Sequence, residues 1–191
     1  MEPFFSRRLP WLLALLPVAC ATPQADHTDE IVAFIENHYE AVQVGAPWDL
    51  LLQDFTPEAE ILHYHVDREP PELQVEPAAQ FFSHMGPGID SMRDFSIVPV
   101  GIDAVVYDRI ATVWAYVEVR SVNQDGVAGG FDAVDQFSMI RDPDGQWYIT
   151  HLLYQHTVED WPPPRRLRRQ NFMASSGTET SVAVRYSSNA P

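Results

Sequence analysis

The 191-residue chain carries 27 acidic residues against 12 arginines and no lysine, for a formal charge of −15. That length fits one domain and is short for two, and so acidic a body repels phosphate backbones, which argues against nucleic acid as a partner. The charge is uneven: residues 21–160 hold 25 of the acids and five arginines, whereas 161–191 hold Arg165, Arg166, Arg168, Arg169 and Arg185 against Glu179. The lone cysteine, Cys20, excludes an intrachain disulfide framework.

In chain order, Arg7 and Arg8 precede a mostly apolar run, Leu9 to Ala19, too short to span a membrane as a helix. Residues 1–20 therefore read as a signal peptide. Its end, Leu16-Pro17-Val18-Ala19-Cys20, resembles the lipobox of bacterial lipoproteins, although Pro17 stands where that pattern usually has Leu. The resemblance implies export to the periplasmic side of a bacterial membrane with a lipid on Cys20; secretion with simple cleavage nearby is the alternative. Residues 21–27 are a tether. Asp26 or Thr28 can cap a helix in which Ile31, Phe34, Ile35, His38 and Val42 recur at helical spacing until Gly45 stops it. Pro47 opens a second, short helix to Phe55 that buries Trp48, Leu51 and Leu52.

Glu60 to Val66 reads as a strand with Ile61, His63 and His65 on one face, followed by a Pro-rich loop, Arg68 to Glu72. A third helix, Pro77 to Met85, is expected to stop at Gly86-Pro87-Gly88. Arg93 to Gly101 is a strand whose Pro99 signals an edge or a bulge, and Asp103 to Arg109 turns the chain. Ile110 to Arg120 alternates strictly. So does Phe131 to Ile140, with Phe131, Ala133, Asp135, Phe137 and Met139 on one face. Asp142-Pro143-Asp144-Gly145 is a turn, with Pro fixing φ and Gly accepting positive φ. A last strand, Gln146 to Gln155, follows it. Its inward face is either Trp147, Ile149, His151 and Leu153 or Tyr148, Thr150, Leu152 and Tyr154. Residues 161–191, rich in Pro, Ser and Arg without periodicity, read as a disordered basic tail.

Two helices, a strand, a helix and a run of antiparallel strands define an α+β domain over residues 28–160. Tyr39-Glu-Ala-Val-Gln-Val-Gly45, Asp54-Phe-Thr-Pro-Glu-Ala-Glu-Ile-Leu62, Val134-Asp-Gln-Phe137 and the Asp144–His151 run carry a resemblance to the nuclear transport factor 2-like superfamily. That superfamily includes the ketosteroid isomerases and the SnoaL-like polyketide cyclases. The resemblance implies a cone-shaped curved antiparallel sheet with three helices packed on one side. Because the fold hosts enzymes, binding proteins and assembly domains, it leaves function open.

Asp135 is the odd residue, an acid on an apolar strand face between Ala133 and Phe137. Desolvation there raises a carboxyl pKa and can keep it protonated as a donor. The resemblance implies that Asp135 is half of an oxyanion hole; a structural acid is the plain alternative. It also puts His63 where the isomerases carry their proton-shuttling carboxylate, with imidazole as the base instead, and His38 or Tyr39 near their oxyanion tyrosine. Trp114, Tyr116, Phe137, His151 and Tyr154 are candidates for a cavity lining or for ordinary core. His63-x-His65 lacks an identifiable third ligand, so no metal is expected, and no cofactor. The resulting expectation is an exported SnoaL-like protein with a pocket for a small apolar molecule. It would transfer protons on a carbonyl compound as an isomerase, cyclase or dehydratase, or else bind a ligand or assemble without turnover. A homodimer through the outer sheet face is a further implied partner.

Overall fold

A computed structural model describes residues 27–66, 68–158 and 162–168. The signal peptide, Cys20, nearly all of the tether and the end of the tail lie outside these residues.

The first helix, α1 (Thr28–Ala41), carries Asp29 and Glu30 in its first turn, where the helix dipole favours acids. Its buried stripe is Ile31, Ile35, His38 and Tyr39, so two polar rings stand among the residues that face the sheet. Gly45, at φ +72°, turns the chain in a region where an L side chain is strained. There follow α2 (Trp48–Leu51) and a single 3₁₀ turn, Leu52–Asp54. The third helix, α3 (Ala78–Asp90), runs through Gly86-Pro87-Gly88, the expected stop. An interior proline costs a helix about 3 kcal/mol, but here tertiary packing prevails. Phe82, Gly86 and Ile89 are buried, and a Cβ at Gly86 would stand 3.0 Å from the Trp48 ring. Asp90 secures the end of α3 by accepting from Gly45 N–H at 2.8 Å and Trp48 Nε1 at 3.1 Å.

Six strands form one curved sheet: β1 (Phe55–His65), β2 (Glu72–Pro77), β3 (Asp94–Tyr107), β4 (Ile110–Val122), β5 (Ala128–Arg141) and β6 (Trp147–His156). Their order is β2-β1-β6-β5-β4-β3. Neighbours are antiparallel except β1 and β6, which run parallel, so the sheet is mixed rather than wholly antiparallel. Hairpin turns encode the antiparallel pairs locally, whereas the β1–β6 pairing closes only once β6 returns to the far side of β5. Strand β2, read as no element from sequence, is an edge strand with Leu73 and Val75 exposed. Asp103 to Tyr107 continues β3 instead of turning. The turn is confined to Asp108 and Arg109, with Asp108 at φ 51°, a conformation Asp tolerates. Pro99 does sit on an edge strand beside a register shift, between Pro99 and Gly101. The Asp142 turn forms as read, Gly145 taking φ +93° and donating from its N–H to the Asp142 carbonyl.

The inner face of the sheet, with Val113, Ala115 and Val117 on β4, Ala133, Phe137 and Met139 on β5 and Trp147 and Ile149 on β6, makes the core with Ile31 and Ile35 of α1. On the outer face, part of the tail departs from the disordered reading. Residues 165–167 form a 3₁₀ turn against β3, Leu167 is 0% exposed, and Arg166 Nε pairs with Asp103 at 2.8 Å. Gly101 makes the seat, since a Cβ there would lie 2.4 Å from the Leu167 carbonyl oxygen. Leu167→Ala should therefore cost about 2 kcal/mol or more in urea unfolding, and truncation after Asp160 at least as much. An unchanged midpoint in both variants would show that this segment contributes nothing to the fold.

Candidate active site

The period-two alternation of β5 places Asp135 on the concave face, between Ala133 and Phe137 on its own strand. Across the sheet it pairs with Ala115 on β4 and Tyr154 on β6, and Tyr154 pairs in turn with His63 on β1. The immediate neighbours of Asp135 on β4, β5 and β6 carry no fixed positive charge. The partner comes from the helix above: Tyr39 donates from its hydroxyl to Asp135 Oδ2 at 2.6 Å, with both residues buried. Burial pushes the Asp135 carboxyl up to about 7, and the hydrogen bond from Tyr39 only partly offsets it. Burial and the adjacent Asp135 hold the Tyr39 hydroxyl well above its ordinary value. The Tyr154 hydroxyl is raised as well, by burial first and then by Asp135 and Glu76.

This pair borders a cavity of about 410 Å³ between α1, α3 and the inner face of the sheet. Phe81, Phe82, Met85 and Ile89 of α3 form one side, and Val117, Ala133, Phe137 and Leu152 belong to the sheet. His38, Tyr39, His84, Asp135, Tyr154 and His156 are the titratable lining residues. The site is thus an apolar chamber with one buried carboxyl–phenol pair in its wall. Such a chamber suits a small, mostly apolar ligand that presents one oxygen.

The residues singled out from sequence separate into three groups. Asp135, Tyr39, His38, Phe137 and Tyr154 line the cavity. His63 lies on the same face of the sheet but outside the lining, with its ring stacked on Tyr154 at 4.1 Å and against His65 at 3.6 Å. Tyr154 therefore stands between His63 and Asp135, which corrects the expectation that His63 reaches a shared ligand. Trp114, Tyr116 and His151 fall on the outer face. Strict alternation puts Trp114 and Tyr116 opposite Val113, Ala115 and Val117, and Tyr116 donates to Asp132 Oδ2 at 2.7 Å.

The last strand resolves its ambiguity by changing phase. Ser138 pairs with His151 but Met139 with Ile149, so Thr150 is an inserted residue. Trp147 and Ile149 point inward before this bulge, and Leu152 and Tyr154 after it. Bulges re-aim side chains in this way and often lie beside functional sites. Asp54, which the sequence marks only as the start of the run into the first strand, lies with its Oδ2 2.7 Å from His38 Nδ1. The two are 16 residues apart and no local pattern links them. Among the described residues, no group of three or more His, Cys, Asp or Glu side chains is arranged to hold a metal, and no helix is long and apolar enough to cross a membrane.

No family model matches the chain, and no curated protein sequence does. Solved structures match over most of their length. A calcium/calmodulin-dependent protein kinase II association-domain-like protein of Xanthomonas campestris is 14% identical, with a TM-score of 0.56 over 73% of this chain and 94% of its own. An uncharacterised Caulobacter vibrioides protein with a cystatin-like fold is 15% identical, with a TM-score of 0.54 over 71% and 93%. A nuclear transport factor 2-like protein of Salmonella enterica is also 15% identical, with a TM-score of 0.50 over 69% and 89%. The chain has the nuclear transport factor 2-like, cystatin-like fold, as its opening resemblance implied.

The shifted carboxyl makes stability depend on pH. Asp135 titrates at 3.8 when unperturbed and at about 7 in the fold, so between these values the folded state retains a proton that the unfolded chain has released. Stability contributed by this group falls as pH rises through that window and is constant above it. Asp135→Asn, which stays uncharged, should match the wild type near pH 4 and exceed it by on the order of a few kcal/mol at pH 8. Urea unfolding at the two pH values measures this. A difference that does not change with pH would contradict it.

Proposed function

We propose that the cavity binds a small apolar carbonyl compound and promotes proton transfer next to the carbonyl, as an isomerase, cyclase or dehydratase does. The observation that carries this reading is the buried Tyr39–Asp135 pair bordering an otherwise apolar chamber. With Tyr39 donating to Oδ2, a proton on Asp135 occupies Oδ1, and that hydroxyl can donate to a ligand oxygen. Negative charge grows on a carbonyl oxygen when a neighbouring carbon loses its proton. A donor that meets this charge in a dry site stabilises the transition state more than the ground state. Binding without turnover is the second reading, and the retreat of His63 behind Tyr154 favours it.

The two readings separate with one ketone, 2-tetralone, and one phenol, 2-naphthol, as probes. Binding of 2-tetralone requires the donor form of Asp135, so affinity should fall as pH rises past about 7 and approach tenfold per pH unit well above it. Asp135→Asn keeps a donor and should flatten that profile, while Asp135→Ala should weaken binding of both probes. Isothermal titration across pH 5 to 9 reads these affinities. A wild-type profile as flat as that of Asp135→Asn would refute the role of the proton. Binding without exchange of the ketone's α-hydrogens would establish the non-catalytic reading.

The address of the protein belongs to the same proposal. Arg7-Arg8, the short apolar run and Cys20 support export with a lipid on Cys20. Metabolic labelling with a fatty acid in a bacterial host should mark the wild type and not Cys20→Ser. Equal labelling of both would refute a lipid on Cys20, and an unlabelled wild type would leave simple secretion.

A further inference from the structure

The described polar groups of the cavity include one that the Tyr39–Asp135 pair does not use. His38 is the residue before Tyr39 on α1, and both line the cavity. The His38 side chain is 4% exposed, yet its Nδ1 lies 2.7 Å from Oδ2 of Asp54, whose side chain is 30% exposed. The imidazole also borders a second, smaller hollow of about 280 Å³, shared with Phe34, Asn37, Leu50 and Asp54. It thus borders both the larger cavity and this second hollow. Phe55 and Phe137 hold the ring edge-on, with centroids at 5.5 and 6.5 Å.

Resting on the reading of the cavity given above, we propose that His38 is the base of this site and that Asp54 positions it. An ionised carboxylate only accepts hydrogen bonds, so the contact with Asp54 puts the hydrogen of neutral imidazole on Nδ1 and leaves the lone pair on Nε2. Nε2 lies on the opposite side of the ring from the atom committed to Asp54. It is the nitrogen available to a ligand in the chamber.

The step conserves atoms and electrons. Nε2 takes a proton from the carbon next to a ligand carbonyl, the C–H pair forms a carbon–carbon double bond, and the carbonyl π pair moves to the oxygen facing the Tyr39–Asp135 pair. Asp54 balances the imidazolium that results. The same proton returned to a different carbon completes an isomerisation. If the proton on Nε2 instead trades with water reaching the cavity before it returns to carbon, ligand hydrogen is exchanged for solvent hydrogen.

Two measurements test this. In protein labelled with 15N-histidine and held at pH 8, His38 should show a protonated Nδ1 and a bare Nε2, and Asp54→Asn should mix the tautomers. An Nε2–H tautomer in the wild type overturns the proposal without any ligand. In D2O, α-hydrogen exchange of 2-tetralone should slow about 10²-fold in His38→Gln and roughly tenfold or more in Asp54→Asn. Neither variant should change 2-naphthol affinity, which reads the Tyr39–Asp135 end. Full exchange in His38→Gln, or none in a wild type that binds the ketone, overturns the base and leaves the binding reading standing. A wild type that binds neither probe overturns the cavity reading and this proposal together. Should His38→Gln lose 2-naphthol as well, its cavity has collapsed, and the tautomer in the wild type decides.

Discussion

The hydrogen bond from Tyr39 to Asp135 is the constraint around which the site is arranged. It joins residues 96 positions apart, is 2.6 Å long and lies out of water. A carboxyl on the inner face of a sheet costs several kcal/mol unless it is paired or protonated, and both forms of relief operate here. The partner comes from α1, Tyr39, while Ala115, Ala133 and Phe137 beside the carboxyl on the sheet offer no donor. This fixes the rotation of α1 over the sheet. With Tyr39 pointing at β5 and its ring edge-on to Phe137 at 5.8 Å, His38 is turned toward Asp54. The helix therefore brings two polar rings into the wall of one chamber, and each is held by a different acid.

Departures from regular structure then shape the chamber. The extra residue at Thr150 lets the first half of β6 fill the core with Trp147 and Ile149 while the second half turns Leu152 and Tyr154 to the cavity. A second shift in β3 and a third in β1, between Phe55 and Glu60, accompany it. Bulges bend strands and increase twist, and a bent sheet can leave room beneath a helix. Helix α3 continues through Pro87 because Gly86 admits the Trp48 ring and Asp90 secures the far end. That extra turn supplies Ile89 to the chamber. The same residues that defeat a local reading of the helix thus build one side of the site.

Much of this was legible in the sequence. Alternation in Ile110–Arg120 and Phe131–Ile140 gave the faces of two strands, and with them the burial of Asp135, since side-chain direction in a strand follows from position parity alone. Helical spacing put His38 on the inward stripe of α1, and Pro143 and Gly145 marked the hairpin turn. Tertiary contacts decided the rest. Tyr39, adjacent to His38, became the donor to Asp135 only when α1 lay across β5. His63 shares the inner face with Asp135, as its parity required, but Tyr154 from another strand intervenes. No parity rule reveals a bulge, so the phase of β6 was undecidable until Ser138 and Met139 chose their partners. Leu167 lacked any periodic context, and its burial depends on the space left by Gly101 on a distant strand. Local sequence determined which groups faced inward, because that follows from backbone geometry one element at a time. Which of them met, and whether a cavity remained between them, was decided by packing among elements far apart in the chain.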